Sequence, residues 1–151
     1  MQFGVLVKNL GDSELNWRLI SNANYLMDNG IADIIFFYED ISQYCVVPHG
    51  SIMQVVEAYE YKYPLIATSL TTAQKLISFP RQSKSIFYLW DLEWLRYPDI
   101  SFNVFKEIYN SPKLELVVRN TEHKSLVQDL WNKDVHKISE NANLMEILYE
   151  S

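Results

Sequence analysis

Five short runs of this chain are apolar almost from end to end: Phe3–Val7, Ile34–Tyr38, Pro64–Thr68, Ser85–Trp90 and Leu114–Val118. A strand that alternates apolar and polar residues has one wet face, whereas a strand that is apolar throughout is covered on both. Between the runs, apolar residues return at helical spacing. Leu15, Leu19, Ala23 and Leu26 form one such stripe, Phe102, Phe105, Ile108 and Tyr109 a second, and Leu126, Val127, Leu130 and Trp131 a third. Buried strands alternating with helices over short connections require a parallel sheet with helices on both faces. The expected fold is therefore α/β, a three-layer αβα sandwich around a mostly parallel, Rossmann-like sheet of about six strands with right-handed crossovers.

Local signals place the elements. Ser13 or Asp12 caps a first helix that runs to about Asn29, and Gly30 stands where a C-terminal cap glycine belongs. The stretch 39–50 is the least regular, with a turn at Pro48, His49 and Gly50. Ser51 is then read as the cap of a helix carrying Ile52, Val55, Val56 and Tyr59. Pro64 suits only the start of a strand, and a short helix over Thr71–Phe79 is ended by Pro80. Asp99 caps the helix that holds Phe102. Asn120 or Thr121 opens another that reaches about Asn132. Val135–Ile138 is a last short strand, and Leu144–Tyr149 a last helical turn or two.

At 151 residues the chain is expected to be one domain, 1–151, and its 48% hydrophobic content excludes the disordered class. A net charge of −6 without any Lys/Arg cluster excludes generic nucleic-acid binding. The single Cys45 rules out an internal disulfide and a cysteine-rich zinc site, and points to a reducing, cytoplasmic setting. Met1–Val7 lacks a basic leader and no 18-residue apolar run occurs, so neither a signal peptide nor a membrane span is expected. His49, His123 and His136 lack the spacing of a metal motif, so no metal is expected. The turn Lys8–Asp12 has one glycine where a dinucleotide fingerprint needs three. Walker and G-x-S-x-G patterns are lacking as well, and no cofactor is expected. A receiver-like Mg²⁺ site would need acidic residues after the first strand, where Lys8 and Asn9 stand.

The best local candidate for a site is Lys84–Arg96. Its strand releases Asp91, Glu93 and Arg96, interleaved with Trp90 and Trp94, at the end where open parallel sheets bind ligands. Asp91 is a candidate general base; the plainer reading makes Asp91 and Glu93 a loop acid and a helix cap. The tryptophans are core residues or platforms for sugar stacking. Arg119 ends a strand and His123 lies on the first turn of the next helix, an arrangement suited to an anion or hydroxyl ligand, or simply a capped helix. Lys8 and Asn9 offer a second anion-facing turn, or an ordinary connection.

Four segments taken in order carry a family likeness: P-L-I-A-T-S at 64–69, I-F-Y-L-W-D at 86–91, V-V-R-N-T-E-H-K-S-L-V at 117–127 and I-S-E-N-A-N-L-M-E-I-L at 138–148. Through them the chain resembles the N-terminal Rossmann-like half of a GT-B glycosyltransferase. More faintly, it resembles short uncharacterised proteins of cyanobacterial tailed phages. The resemblance implies an acceptor-binding half, with Asp91, Arg119, His123 and Asn141 facing the cleft and a nucleotide-sugar or glycan as possible partner. In that family the nucleotide-sugar is held mainly by the other half, so a complete transferase is not implied. The alternative is a non-enzymatic interaction module, a homodimer or a phage accessory protein. The 4 Trp and 10 Tyr favour it, because these residues are enriched at interfaces.

Overall fold

The computed structural model describes residues 1–95 and 102–149. Arg96 and Asp99, singled out above, lie outside the described residues.

Strand Gln2–Val7 (β1) leads into helix Glu14–Asp28 (α1), then strands Asp33–Tyr38 (β2) and Ile52–Gln54 (β3) and a 3₁₀ turn, Val55–Glu60. Strand Leu65–Ala67 (β4), helix Leu70–Ser78 (α2) and strand Ser85–Leu89 (β5) follow, and then a 3₁₀ turn at Glu93–Leu95. Helix Phe102–Tyr109 (α3), strand Glu115–Val118 (β6), helix Thr121–Trp131 (α4), strand Lys137–Ile138 (β7) and helix Leu144–Leu148 (α5) complete the order.

All seven strands are parallel, in the order β3-β2-β1-β4-β5-β6-β7. The chain adds strands in one direction from β1 to β3, then returns and adds them in the other. Right-handed crossovers that run in opposite directions set their helices on opposite faces. Accordingly α1 and α5 bury one face of the sheet, with Leu19, Ile20, Ala23, Leu144 and Ile147. On the other face α2, α3 and α4 bring Leu70, Leu76, Phe105, Ile108, Val127 and Trp131. β5 divides its residues by period two: Ile86 and Tyr88 face α1, and Phe87 and Leu89 face α2 and α3. The result is the Rossmann-like αβα sandwich.

The caps follow the sequence signals. Ser13 Oγ accepts from Asn16 N, Asn120 Oδ1 accepts from His123 N, and Gly30 takes the left-handed conformation, φ 67°, after α1.

One element departs from the sequence reading. Ser51 does not cap a helix; Ile52–Gln54 forms β3 and the 3₁₀ turn comes after it. The open edge of β2 supplies the reason. Residues 52–54 pair with Phe36, Phe37 and Tyr38, and Phe36 N donates to Ser51 O at 3.1 Å. Of the 3₁₀ turn only Ala58 is buried, so Val56 and Tyr59 were never an inner helical face. On α4 the buried stripe is narrower than the apolar pattern: Val127 and Trp131 are buried, while Leu126 and Leu130 are each 47% exposed.

The connection 39–51 is tied to α1 by a buried asparagine. Asn24 Nδ2 donates to Val47 O at 2.9 Å, and its Oδ1 accepts from His49 N at 2.8 Å. Gly50 lets this connection lie against β2: a methyl group there would sit 2.8 Å from the Ile34 carbonyl oxygen and 2.5 Å from Met27 Sδ. Backbone cannot yield as a side-chain tip can. Gly50→Ala is expected to destabilise the fold by about 1–3 kcal/mol, the range for forced overpacking, read as a lower urea midpoint at unchanged m-value.

Candidate functional site

In an open α/β sheet the natural ligand crevice lies outside the carboxyl ends of the strands where the order reverses, here β1 and β4. Lys8 and Asn9 follow β1. Asn9 Oδ1 accepts from Gly11 N at 2.9 Å, and the Asn16 amide donates to Asn9 O at 3.0 Å and to Gly11 O at 2.9 Å. The polar groups of this turn thus hold the turn itself.

After β4, the first turn of α2 is self-capped: Ser69 N donates to Thr72 Oγ1 at 3.0 Å and Thr72 N to Ser69 Oγ at 3.3 Å. Two of the chain's own carboxylates also meet this helix. Glu93 Oε1 accepts from Leu70 N at 2.8 Å. Glu39, at the end of β2, accepts from Thr71 Oγ1 at 2.6 Å and pairs with Lys75. In the sheet β1 lies between the ends of β2 and β4, so the nearly buried Glu39 side chain bridges the mouth of the crevice. The positive end of the α2 dipole is matched from within the protein.

A different arrangement crowns β5, β6 and β7. Trp90 is only 7% exposed, and the Arg119 guanidinium carbon lies 3.9 Å from its ring centroid. Arg18, reaching up from α1, approaches the same ring at 5.9 Å. A guanidinium over an indole face is held by the ring quadrupole as well as by dispersion. Covered in this way, Trp90 offers no face to a sugar. Trp94 is also engaged with other rings, edge-on to Tyr109 at 5.4 Å and to Trp131 at 5.6 Å. Beneath Trp90, Tyr88 donates from its hydroxyl to Ser139 O at 2.5 Å, and burial pushes its pKa up to about 12. Tyr88 therefore stays a proton donor that pins β5 to the chain beyond β7.

Arg18 also pairs with Glu14 at 3.1 Å and donates to Asn141 Oδ1 at 3.4 Å. Arg119 is different. Among the described residues it makes no ion pair or hydrogen bond through its side chain, so stacking fixes the group while its N–H donors stay unspent. His123, one turn into α4, feels both neighbours. Burial lowers its pKa, Arg119 lowers it further, and Asp91 opposes them. Its Nδ1 is buried without a hydrogen-bond partner. Near neutral pH the imidazole is therefore neutral, the form that accepts a proton.

Of the residues named from sequence, Asp91, Arg119 and His123 come together, and Arg18 links Asn141 to them. Lys8 and Asn9 stand apart, with β4 between their strand and β5, and Glu93 reaches to α2. Sequence reasoning missed Arg18, Glu39 and Lys75. For Arg18 the only local signal was the i, i+4 pair with Glu14, and nothing local points to β5 or to Asn141. Among the described residues no group of three His, Cys, Asp or Glu could hold a metal ion, and no helix is long and apolar enough to cross a membrane.

Compared with protein-family models, curated proteins and solved structures, the chain matches none.

The environment of His123 gives a pH signature. Its folded pKa lies below the unfolded value of about 6.5, so below that value the unfolded chain binds the extra proton first. Stability is expected to fall as pH drops through about 6.5, and His123→Gln should flatten that slope in urea midpoints measured from neutral to mildly acid pH. Removing the charge that favours protonation, with Asp91→Asn, should lower the His123 pKa further in an NMR titration. Arg119→Ala should raise it.

Proposed function

We propose that the protein is a glycosyltransferase-related domain that binds a sugar, nucleotide or acceptor carrying an anionic group, a nucleotide-sugar or a glycan, over the carboxyl ends of β5, β6 and β7. The observation that carries this reading is Arg119. Its guanidinium is held on Trp90 with no acceptor among the described residues, and such a planar fork matches a phosphate or carboxylate with two parallel hydrogen bonds. Neutral His123 lies beside it as an acceptor for a ligand hydroxyl, Asp91 sets the charge balance around His123, and Asn141 adds an amide at the rim. The sugar portion would be held by hydrogen bonds rather than by stacking, because both tryptophans are engaged with other groups. The sequence resemblance to a GT-B N-terminal half points to a carbohydrate ligand. The geometry argues only for an anion with hydroxyls.

A second reading has its own observation. Leu95, Leu126 and Leu130 are 69%, 47% and 47% exposed around Trp94, an apolar patch across the start of the β5–α3 connection and α4. A protein-interaction module would use it.

A thermal-shift panel of nucleotide-sugars, nucleotides and simple glycans separates the two. A ligand that binds only the native state raises the melting temperature, by about 2.7 kcal/mol of added stability at a hundredfold excess over Kd. The expected result is a shift with a nucleotide-sugar, lost in Arg119→Ala and reduced in Asp91→Asn. No shift across the panel, together with a concentration-dependent dimer that Leu130→Lys dissociates, would replace the ligand-binding reading with the interaction module.

A further inference from the structure

Among the described residues the sheet ends in β3 on one side and β7 on the other, and the two edges are built differently. An edge strand leaves a row of backbone N–H and C=O groups unpaired, and folds guard such rows with charge, proline or a bulge. Around β7 stand Lys133, Asp134, His136, Lys137 and Glu140. From Gly50 to Val56, across the whole of β3, the chain has neither a charged residue nor a proline. We propose that β3 pairs antiparallel with β3 of a second copy of this chain, across a two-fold axis beside Met53, so that the two sheets join edge to edge.

The register fixes which groups are on offer. Ile52 pairs with Phe36 in the parallel ladder, and Phe36 N donates to Ser51 O at 3.1 Å. In such a ladder alternate residues turn their backbone groups to the same neighbour. Ser51 and Met53 therefore face β2, while Ile52 and Gln54 carry their N–H and C=O groups outward. On a two-fold beside Met53, Ile52 of each copy stands opposite Gln54 of the other, and each such pair can exchange two hydrogen bonds. Met53, 41% exposed, then meets the second copy's Met53 as a non-hydrogen-bonded pair, where side chains lie closest. Val56, 64% exposed in the turn just beyond β3, adds apolar surface at the same edge.

Charge and symmetry name the occupant. Each copy carries a net charge of −6, so two copies repel over most of their surface and approach at least cost where the contact itself is neutral. The outward groups of β3 alternate donor and acceptor, and they complement themselves when the strand is turned over, which is the condition for an isologous contact. Three residues from each copy make a short contact of the weak, concentration-dependent class. The edge lies away from both the Arg119 cluster and the Leu126–Leu130 patch, with β2, β1 and β4 between, so this contact does not depend on the ligand reading.

Sedimentation velocity from about 10 to 1,000 µM tests the assignment in the full chain. The expected result is a monomer that passes into a dimer as concentration rises. Gln54→Pro is the sharpest variant. Gln54 has φ −67°, the value proline imposes, and its N–H points away from β2, so the monomer keeps its fold while the dimer loses a donor from each copy. Its dimer should be about tenfold weaker or more, with circular dichroism unchanged. Met53→Lys sets two ammonium groups against each other and should act likewise, whereas Leu130→Lys should have no effect. In a Cys45→Ser background, Met53→Cys should give a disulfide-linked dimer on mild oxidation, and Gln54→Cys, opposite Ile52, should cross-link far more slowly. A protein that stays monomeric through this range would overturn the proposal, as would a dimer left intact by both Gln54→Pro and Met53→Lys. Equal cross-linking of the two cysteine variants would overturn the two-fold at Met53. A dimer that Leu130→Lys dissociates and Gln54→Pro leaves intact would place the contact on α4 and equally refute this one.

Discussion

β1, β4 and β5 have packed side chains over both faces, so each residue in them must be apolar or have its polar group met inside the sheet. Every residue of β4 and β5 is buried, as is all of β1 beyond Gln2. Polar side chains are therefore driven off the strands and into the turns beyond their ends. In a parallel sheet all of those carboxyl-end turns open on one edge. Lys8, Glu39, Asp40, Thr68, Asp91, Arg119 and Asn141 stand at that edge because two-sided burial keeps such groups off the strands themselves.

Within that edge the charges are disposed in two ways. At the α2 terminus the protein satisfies itself: Glu93 takes a backbone amide, and Glu39 takes Thr71 and Lys75. This closes the crevice at β1 and β4, where a ligand of a dinucleotide-type fold would lie. On either side of it, groups are held in place but left with unused capacity. Arg119 is fixed by the Trp90 ring rather than by a carboxylate, so its position is set without spending its donors. Asp40 is fixed by its own backbone, leaving its carboxylate unspent. A group that is positioned by one part and free at another has the preorganisation that binding sites need.

Legibility varied with the range of the forces involved. The caps at Ser13 and Asn120 and the glycine after α1 were readable because they act over three or four residues. Strands β1, β2, β4, β5 and β6 were readable because two-sided burial leaves an unbroken apolar run. β3 was misread as helix because its apolar residues also fit a helical spacing, and what decides between the two is the open edge of β2. Leu126 and Leu130 fitted the α4 stripe equally well, yet only Val127 and Trp131 reach the core. Asp91, Arg119 and His123 could be nominated, since each stands just past a strand or on the first turn of a helix. Their electrostatic coupling could not, nor could the part played by Arg18 from α1.

By itself, then, the amino-acid sequence determined the alternation of buried strands and helices, the parallel sheet and the edge on which its polar residues gather. Periodicity and capping are properties of neighbours along the chain, and they are written locally. Tertiary structure alone decided which polar residues neutralise one another and which keep unused hydrogen-bonding capacity. Glu39 and Asp40 are adjacent carboxylates at one strand end, yet one closes onto Lys75 across β1 and the other lines a groove with Tyr38 and Tyr44. That difference is set by strand order and by the few ångströms over which charges and hydrogen bonds act, and spacing along the chain carries neither.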